Sequence, residues 1–211
     1  MTCNSETIRR RGRPPKADNS RNATRAVLIR AGVELLTEKG FSATGLDEIL
    51  KRVGVPKGSF YHYFASKEAF GAALIEAYGA SFAARLDRYF LDEAVGPLER
   101  LDNFVKAARR NMARHKFRRG CLIGNLGQEM SALPEGFRSL LTEVFSDWQQ
   151  RTATCLKAAQ QAGEISPAID PDEMATFFWI GWEGAVLRAK LERSAAPLTK
   201  FHEGFLGLLK R

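Results

Sequence analysis

The stretch that decides the fold is GVPKGSFYHYF at residues 54–64. Gly54 ends a short apolar-patterned helix predicted over Leu46–Val53, and Pro56 suits the entry to a new helix because its missing N–H would have no partner there. The new helix, predicted over Lys57–Tyr63, is short enough to lie in a DNA major groove, which is about 12 Å wide. Two short helices joined by a tight turn predict a helix-turn-helix.

The second of these helices has two different faces. Phe60 and Phe64 are four residues apart and are predicted to face the core. The polar and other aromatic side chains remain for DNA, and glycine near the helix start lets the backbone approach a phosphate closely. The predicted contacts are Lys57, Gly58, Ser59, Tyr61, His62 and Tyr63, with Lys67 at the start of the next helix. On chemistry alone, a packed surface aromatic patch with a structural His62 is an equally good interpretation.

Helical periodicity continues on both sides of this motif. Apolar residues recur every three or four positions, Pro or Gly marks many boundaries, and no segment alternates like a strand. The sequence predicts an all-α fold of about nine helices: Asn22–Lys39, Leu46–Val53, Lys57–Tyr63, Lys67–Phe90, Leu98–His115, Cys121–Leu133, Pro134–Ala162, Pro171–Arg193 and Pro197–Lys210.

Charge is concentrated near the start of the chain. The 211 residues have a formal net charge of +8, and residues 1–64 hold 12 of the 32 Lys and Arg residues against 6 of the 24 Asp and Glu residues. This asymmetry is typical of a protein that binds nucleic acid at one end. We predict a disordered basic arm over residues 1–21, a helix-turn-helix domain over 22–66 and a larger helical domain over 67–211.

The basic arm carries a second DNA-binding hypothesis. Its RRGRPPK at residues 10–16 resembles the core of an AT-hook, in which an extended backbone lies in a narrow A·T minor groove with arginines inserted. Arg11 and Arg13 are the predicted contacts. The alternatives are a solvated tail and a membrane-surface anchor, and the lack of a basic amphipathic helix with an aromatic face argues against the anchor.

Residues 26–70 resemble the TetR family of transcriptional repressors. The resemblance rests on Gly40-Phe41, Thr44, Asp47-Glu48-Ile49, the 54–64 stretch and Ser66-Lys67-Glu68. It implies a three-helix domain whose third helix reads the major groove, and homodimers that bind palindromic double-stranded operators. It also adds Thr44 to the DNA contacts, although a hydroxyl at the start of a helix is most often a simple cap.

The segment RRGCLIGNLGQE at residues 118–129 is unusual. Cys121 is predicted at a helix N-terminus after a basic run, and both features lower the pKa of a thiol. Asn125 and Glu129 follow at four-residue spacing, so the three side chains are predicted to point into one cavity. The alternative is a small buried cysteine that fills a gap.

A second unusual segment is FFWIGWEGAVLRAK at residues 177–190. Glycine inside a helix costs about 1 kcal/mol relative to alanine, so Gly181 and Gly184 indicate the close approach of another helix. The candidates for lining a ligand pocket are Trp179, Trp182, Glu183 and Lys190. Aromatic residues at helical spacing are more often part of a core.

These two segments resemble the branch of the TetR family that contains acrylate-responsive and electrophile-sensing repressors. The resemblance implies a small unsaturated, electrophilic or carboxylate effector, a sensing site with Cys121 and Lys190, and a dimer interface formed by the last two helices. Asn125 stands where the electrophile sensors have a lysine. Covalent modification of Cys121 is therefore kept as the alternative to reversible ligand binding.

Other function classes find little support. The 3 His and 3 Cys residues form no metal-ligand pattern, and no Ser/His/Asp constellation or Gly-rich phosphate loop is present, so we expect no enzyme, metal or cofactor. Few, widely spaced cysteines fit a reducing cytoplasm. No apolar run approaches the roughly 20 residues that span a bilayer. The rivals are an activator, a constitutive nucleoid-type binder, and an enzyme that uses Cys121 as a nucleophile.

Overall fold

The described part of the chain is built from helices. The computed structural model describes residues 18–210, with side chains from Arg21 onward. In this range no strand occurs, and the predicted all-α class is confirmed. The elements are α1 Asp18–Lys39, α2 Leu46–Val53, α3 Lys57–Phe60, α4 Lys67–Phe90, α5 Pro97–Arg114, α6 Leu122–Gln128, a 3-10 turn at Met130–Ala132, α7 Gly136–Gln161, α8 Pro171–Glu192 and α9 Ala196–Leu209.

Two helix boundaries near the DNA-binding motif differ from the prediction. α1 begins at Asp18 rather than Asn22. α3 ends at Phe60 rather than Tyr63. The chain tightens there, because the Tyr63 N–H donates to the Phe60 carbonyl, three residues back, at 2.9 Å.

The helix predicted over Cys121–Leu133 is divided. α6 stops at Gln128, and a separate 3-10 turn follows it. The interruption falls at Glu129, whose carboxylate accepts backbone hydrogen bonds from the loop after α1. Two glycines within α6, Gly124 and Gly127, also lower its helix propensity.

The predicted helix-turn-helix region contributes its own part of the hydrophobic core. Leu28, Leu36, Ile49 and Phe60 are almost fully buried between α1, α2 and α3. The first turns of α4 pack against these residues. Phe70 on α4 lies edge-on to Phe60, with 5.5 Å between the ring centroids. Because α4 belongs to both cores, the two parts of the chain share a rigid helix.

An aromatic cluster forms the second core, where α4, α5, α7 and α8 meet. The Phe82 and Trp148 rings lie 4.2 Å apart, and Trp148 and Trp179 lie 4.9 Å apart. Trp179 is almost completely buried, and its indole N–H donates to Thr152 at 3.0 Å. Aromatic pairs of this kind contribute about 0.5–1.5 kcal/mol each beyond the burial of their surface area, so the cluster stabilises the packing of these four helices.

Candidate DNA-binding surface and effector cavity

The predicted DNA-facing side chains of α3 and the turn after it are largely exposed. Tyr61 is 53% exposed, Lys57, Gly58 and His62 are exposed, and Ser59 and Tyr63 are half-buried. Phe60 and Phe64 are buried, as their spacing predicted. The motif therefore presents a polar and aromatic ridge on an apolar base.

Lys57 forms a weak ion pair at the protein surface. Its Nζ lies 3.0 Å from Asp47 Oδ1 on α2, and the hydrogen bond and charge of Asp47 raise the pKa of Lys57. Both side chains are largely exposed, and exposed pairs contribute little to stability. A DNA phosphate can therefore replace Asp47 as the partner of Lys57.

Thr44 and Lys67 are held inside the corner between α1 and α2. Thr44 is completely buried, and its hydroxyl donates to the Gly40 carbonyl at 2.6 Å. Lys67 Nζ donates to the Phe41 carbonyl at 3.2 Å and lies 4.5 Å from the centroid of the Phe41 ring. In this conformation the Thr44 hydroxyl does not reach the surface, and both residues fix the corner beside the DNA-facing ridge.

Two arginines at the start of α1 complete this surface and were not singled out from the sequence. Arg21 Nη2 donates to the His62 carbonyl at 2.8 Å, and the Arg25 guanidinium lies 5.2 Å from the centroid of the Phe64 ring. The available signal was basic residues four apart on one helix face. The predicted contacts Arg11 and Arg13 lie outside the described residues.

A small cavity of about 50 Å³ lies between α4, α5, α8 and the start of α6. Three predicted effector residues line it: Cys121, Trp182 and Glu183. Its other lining residues are Tyr78, Phe82, Arg85, Ala108, Asn111, Met112, Gly120 and Val186. We call this space the inner cavity.

Glu183 carries a buried carboxyl group at this cavity. Its Oε1 is buried and has no hydrogen-bond partner among the described residues. Burial raises the pKa of Glu183 to about 7, against a small opposing effect of the Cys121 thiol. A Cβ atom at Gly124 would overlap the Glu183 carboxylate, so glycine on α6 makes room for this side chain. At neutral pH the carboxyl is therefore partly protonated and can donate a hydrogen bond.

The prediction that the pKa of Cys121 is lowered is wrong. Cys121 is the N-cap of α6, and its Sγ accepts a hydrogen bond from the Gly124 N–H at 3.5 Å. Burial and the neighbouring Glu183 nevertheless raise the pKa of the thiol well above its usual value. The basic run gives no compensation at this site, because Arg119 turns outward and pairs with Glu38 of α1 at 2.9 Å.

Asn125 and Glu129 are not among the residues that line the inner cavity, although the helical spacing predicted that they would be. Asn125 Nδ2 donates to the Thr37 carbonyl at 3.0 Å, and its Oδ1 accepts from Lys190 Nζ at 3.2 Å. Glu129 accepts from the backbone N–H groups of Phe41 at 3.1 Å and Ser42 at 2.8 Å. These side chains join α6 to the DNA-binding domain, which the sequence did not predict.

The remaining two predicted pocket residues lie beside the cavity rather than in its wall. Trp179 belongs to the aromatic core, and its N–H is occupied by Thr152. Lys190 is half-buried, and burial lowers its pKa. A Cβ atom at Gly120 would lie 2.7 Å from Lys190 Cδ, so the lysine stem packs on the backbone that leads to Cys121.

An apolar stripe of α8 is exposed. Phe177, Ile180, Leu187 and Leu191 recur at helical spacing and are 46%, 68%, 45% and 76% exposed. Gly184 lies exposed within the same stripe, whereas Gly181 faces α9, where a Cβ atom would overlap the Phe201 ring. The prediction of close helix approach is thus confirmed at Gly181 within the chain.

Comparison with known families follows the same division of the chain. A family model described as "Bacterial regulatory proteins, tetR family" matches residues 28–74, and one described as "Tetracyclin repressor-like, C-terminal domain" matches residues 97–205. The chain belongs to the TetR family. It is therefore a helix-turn-helix transcriptional regulator, and the resemblance found over residues 26–70 is confirmed.

Similar proteins place this TetR-family regulator near the branch indicated by its sequence. The transcriptional regulator AcuR of Cereibacter sphaeroides is 58% identical over 93% of this chain and 89% of its own length. The repressor NemR of Escherichia coli is 33% identical over 83% of this chain and 88% of its own. The crystal structure of regulatory protein TetR from Rhodobacter sphaeroides superposes with a TM-score of 0.84 at 58% identity, covering 86% of this chain and 96% of that one.

Neither a membrane helix nor a metal site is found in this regulator within the residues that the structure describes. No helix between residues 18 and 210 is long and apolar enough to cross a bilayer. In the same range no three His, Cys, Asp or Glu side chains are grouped to hold a metal ion.

Proposed function

We propose that this protein is a cytoplasmic, homodimeric repressor that binds palindromic operator DNA and is released by a small effector bound in the inner cavity. The effector class is acrylate or a related unsaturated or electrophilic compound. The observation that carries this proposal is the joint presence of an exposed recognition ridge and a buried cavity with an unpartnered carboxyl oxygen. The 58% identity to AcuR supports it.

The DNA-binding half of the proposal rests on the ridge around α3. Tyr61 and His62 face solvent beside Lys57, while Arg21 and Arg25 extend the positive surface along α1. Aromatic and polar side chains on a short helix suit base edges, and flanking cations suit phosphates. In a dimer, two such ridges about 34–36 Å apart would enter successive major grooves.

The proposal of a homodimer is based on the exposed apolar stripe of α8. Four large apolar side chains, 45–76% exposed among the described residues, lie with Gly184 on one helix face. An exposed apolar patch of this kind marks an interaction surface. A two-fold pairing of α8 and α9 with their partner copies would bury it, because an isologous interface uses the same patch twice.

Release by effector requires different affinities for two conformations of the dimer. The structure offers two physical links between cavity and DNA-binding domain. α4 runs through both cores. α6 has its N-cap, Cys121, at the cavity and its C-cap, Glu129, on the loop after α1. An effector that shifts Glu183 or Cys121 therefore acts on the element that holds that loop.

Covalent sensing through Cys121 is the second candidate. It is favoured by the position of the Sγ in the cavity wall and disfavoured by a pKa raised well above the usual value, since the thiolate is the reactive form. Reversible binding is accordingly the proposal. Intact-mass measurement after incubation with acrylate separates the two, because a thiol adduct would favour the covalent alternative.

The experiment that tests the DNA-binding half compares Tyr61→Ala with Arg138→Ala on a duplex from the region upstream of the protein's own gene. Arg138 is an exposed, paired side chain of α7 and serves as the control. We expect Tyr61→Ala to lose about tenfold or more in affinity for this duplex, since a good base contact contributes about 1–3 kcal/mol. Equal losses in both variants would contradict the proposed ridge.

A further inference from the structure

A positively charged groove lies directly outside the inner cavity. It has a volume of about 400 Å³ between α4 and α5. Its walls hold four arginines, an asparagine and several aromatic and small side chains, and no carboxylate: Phe82, Arg85, Arg88, Tyr89, Phe104, Ala107, Ala108, Arg110, Asn111 and Arg114. We call it the arginine groove.

The charge of this groove is not balanced within the described chain. Arg88, Arg110 and Arg114 are exposed, and none of them has an ion pair with a carboxylate of residues 21–210. Arg85 lies over the Phe82 ring, 5.2 Å from its centroid. Several guanidinium groups around one concave surface concentrate positive potential there and bind phosphate oxygens in bidentate pairs.

The groove and the inner cavity are adjacent. They share four lining residues: Phe82, Arg85, Ala108 and Asn111. A ligand can therefore place one end inside, against Trp182 and Cys121, and extend its other end over the arginines. The inner space is small, since a single water needs roughly 10–15 Å³ by the same measure, so only a few heavy atoms fit inside it.

The lining of the inner cavity offers a hydrogen-bond donor to a small uncharged group. The titratable groups that line it are Tyr78 on α4, Cys121 before α6 and Glu183 on α8, and the only cation is Arg85 at the boundary with the groove. Burial raises the pKa of each of these three acids. A protonated Glu183 can donate a hydrogen bond to a carbonyl from the oxygen that has no partner among the described residues, whereas an anion would have Arg85 as its partner in the lining.

We propose that the effector of this regulator is a short-chain acyl thioester of coenzyme A, with its acyl carbonyl at Glu183 in the inner cavity and its phosphates on the arginine groove. This inference rests on the proposed function and names the effector class for the same site. The acyl group supplies the few heavy atoms that the cavity admits, and the carrier supplies the anionic extension that the groove fits. The thioester carbonyl is uncharged and accepts the hydrogen bond from Glu183.

Direct binding to the full chain tests the proposal without DNA. Propionyl-coenzyme A is the probe, because its saturated acyl group has no carbon–carbon double bond to which the Cys121 thiol could add. Coenzyme A and propionate are the comparison ligands. We expect isothermal titration to show propionyl-coenzyme A binding at least tenfold more tightly than either comparison ligand, with an affinity that falls as salt is raised. Equal affinity for coenzyme A and its propionyl thioester would overturn the placement of the acyl group.

The matched variants are Arg88→Ala/Arg114→Ala and the control Arg138→Ala/Lys157→Ala, which removes two exposed charges far from the groove. The groove variant should lose about tenfold or more in affinity for propionyl-coenzyme A, while the control stays within twofold of the unaltered chain. An unchanged affinity in the groove variant would overturn the proposal. Operator release by acrylate, with no thioester binding, would overturn it and leave the proposed function standing.

Discussion

Glu183 shows how one buried side chain sets the properties of the inner cavity. Its carboxyl has a pKa near 7 because burial disfavours the charged form, and the adjacent Cys121 thiol has its own pKa raised for the same reason. Ionising either group makes it harder to ionise the other. The Glu183 carboxyl is therefore partly protonated at neutral pH, and its protonated form can donate a hydrogen bond to an effector group.

The raised pKa of Glu183 predicts a pH-dependent stability. The folded-state pKa is about 7 and the unperturbed value 4.5, so the native state binds the proton more tightly and stability falls as pH rises through this window. The loss amounts to about 3 kcal/mol when complete. Urea unfolding at pH 5 and pH 8 should show a smaller loss for Glu183→Gln than for the unaltered chain.

A matched control for that measurement is Glu143→Gln on α7, an exposed carboxylate. Its stability should follow that of the unaltered chain across the same pH range. If Glu183→Gln keeps the full pH dependence of the unaltered chain, Glu183 is not the group that titrates.

Lys57 predicts the salt dependence of DNA binding. A lysine that exchanges Asp47 for a phosphate contributes a sequence-independent contact. Lys57→Ala should weaken binding to the operator and to unrelated duplexes to a similar extent. It should also reduce the slope of log affinity against log salt concentration by about one per subunit. Anisotropy titrations over a salt series measure this, and an unchanged slope would show that Lys57 touches no phosphate.

At single residues, prediction from the sequence succeeded where spacing alone decides orientation. Phe60 and Phe64 face the core because residues four apart share a face near the end of a helix. The pKa of Cys121 could not be obtained in this way. Its direction depends on burial and on Glu183, which reaches it only through the packing of α8 on α6.

α6 is the element that lies between the inner cavity and the predicted helix-turn-helix region. Its first turn lies at the inner cavity, and Asn125 and Glu129 bind backbone groups of the DNA-binding domain. The hydrogen bonds that the Glu129 carboxylate accepts are charge-assisted, and such bonds contribute about 1.5–3 kcal/mol each. A short helix held at both ends transmits a displacement at one end to the other.

Glu129→Gln is predicted to loosen this connection while keeping the side-chain volume. The amide cannot accept two backbone hydrogen bonds with the strength of a carboxylate, so the loop after α1 should open more often. Hydrogen exchange at Phe41 and Ser42 should accelerate several-fold. Glu143→Gln is again the control, and equal exchange in both variants would contradict the role of Glu129.

Helix prediction was accurate where sequence periodicity is strong and failed where tertiary bonds intervene. α2 and α4 begin and end at the predicted residues; glycines flank α2 at both ends, and a serine N-cap begins α4. The break in the helix predicted over Cys121–Leu133 coincides with Glu129, whose partners belong to another domain. Periodicity contains no information about that contact.

At the scale of the whole molecule, the exposed apolar stripe of α8 is the proposed dimer interface. Ile180→Glu/Leu187→Glu places two charges in the exposed apolar stripe and should convert the dimer to a monomer in sedimentation experiments. Operator affinity should fall by at least tenfold, because a single recognition helix loses the second half-site. Leu91→Glu, at a leucine that is 62% exposed outside the stripe, is the control and should stay dimeric.

The central claim is that occupation of the inner cavity releases the protein from its operator. Fluorescence anisotropy of a labelled duplex from the region upstream of its own gene tests this most directly, with and without acrylate and its coenzyme A thioester. We predict tight binding by the free protein, weak binding to a scrambled duplex, and release by at least one of the two ligands. Equal affinity for both duplexes, or tight binding that neither ligand alters, would contradict the account.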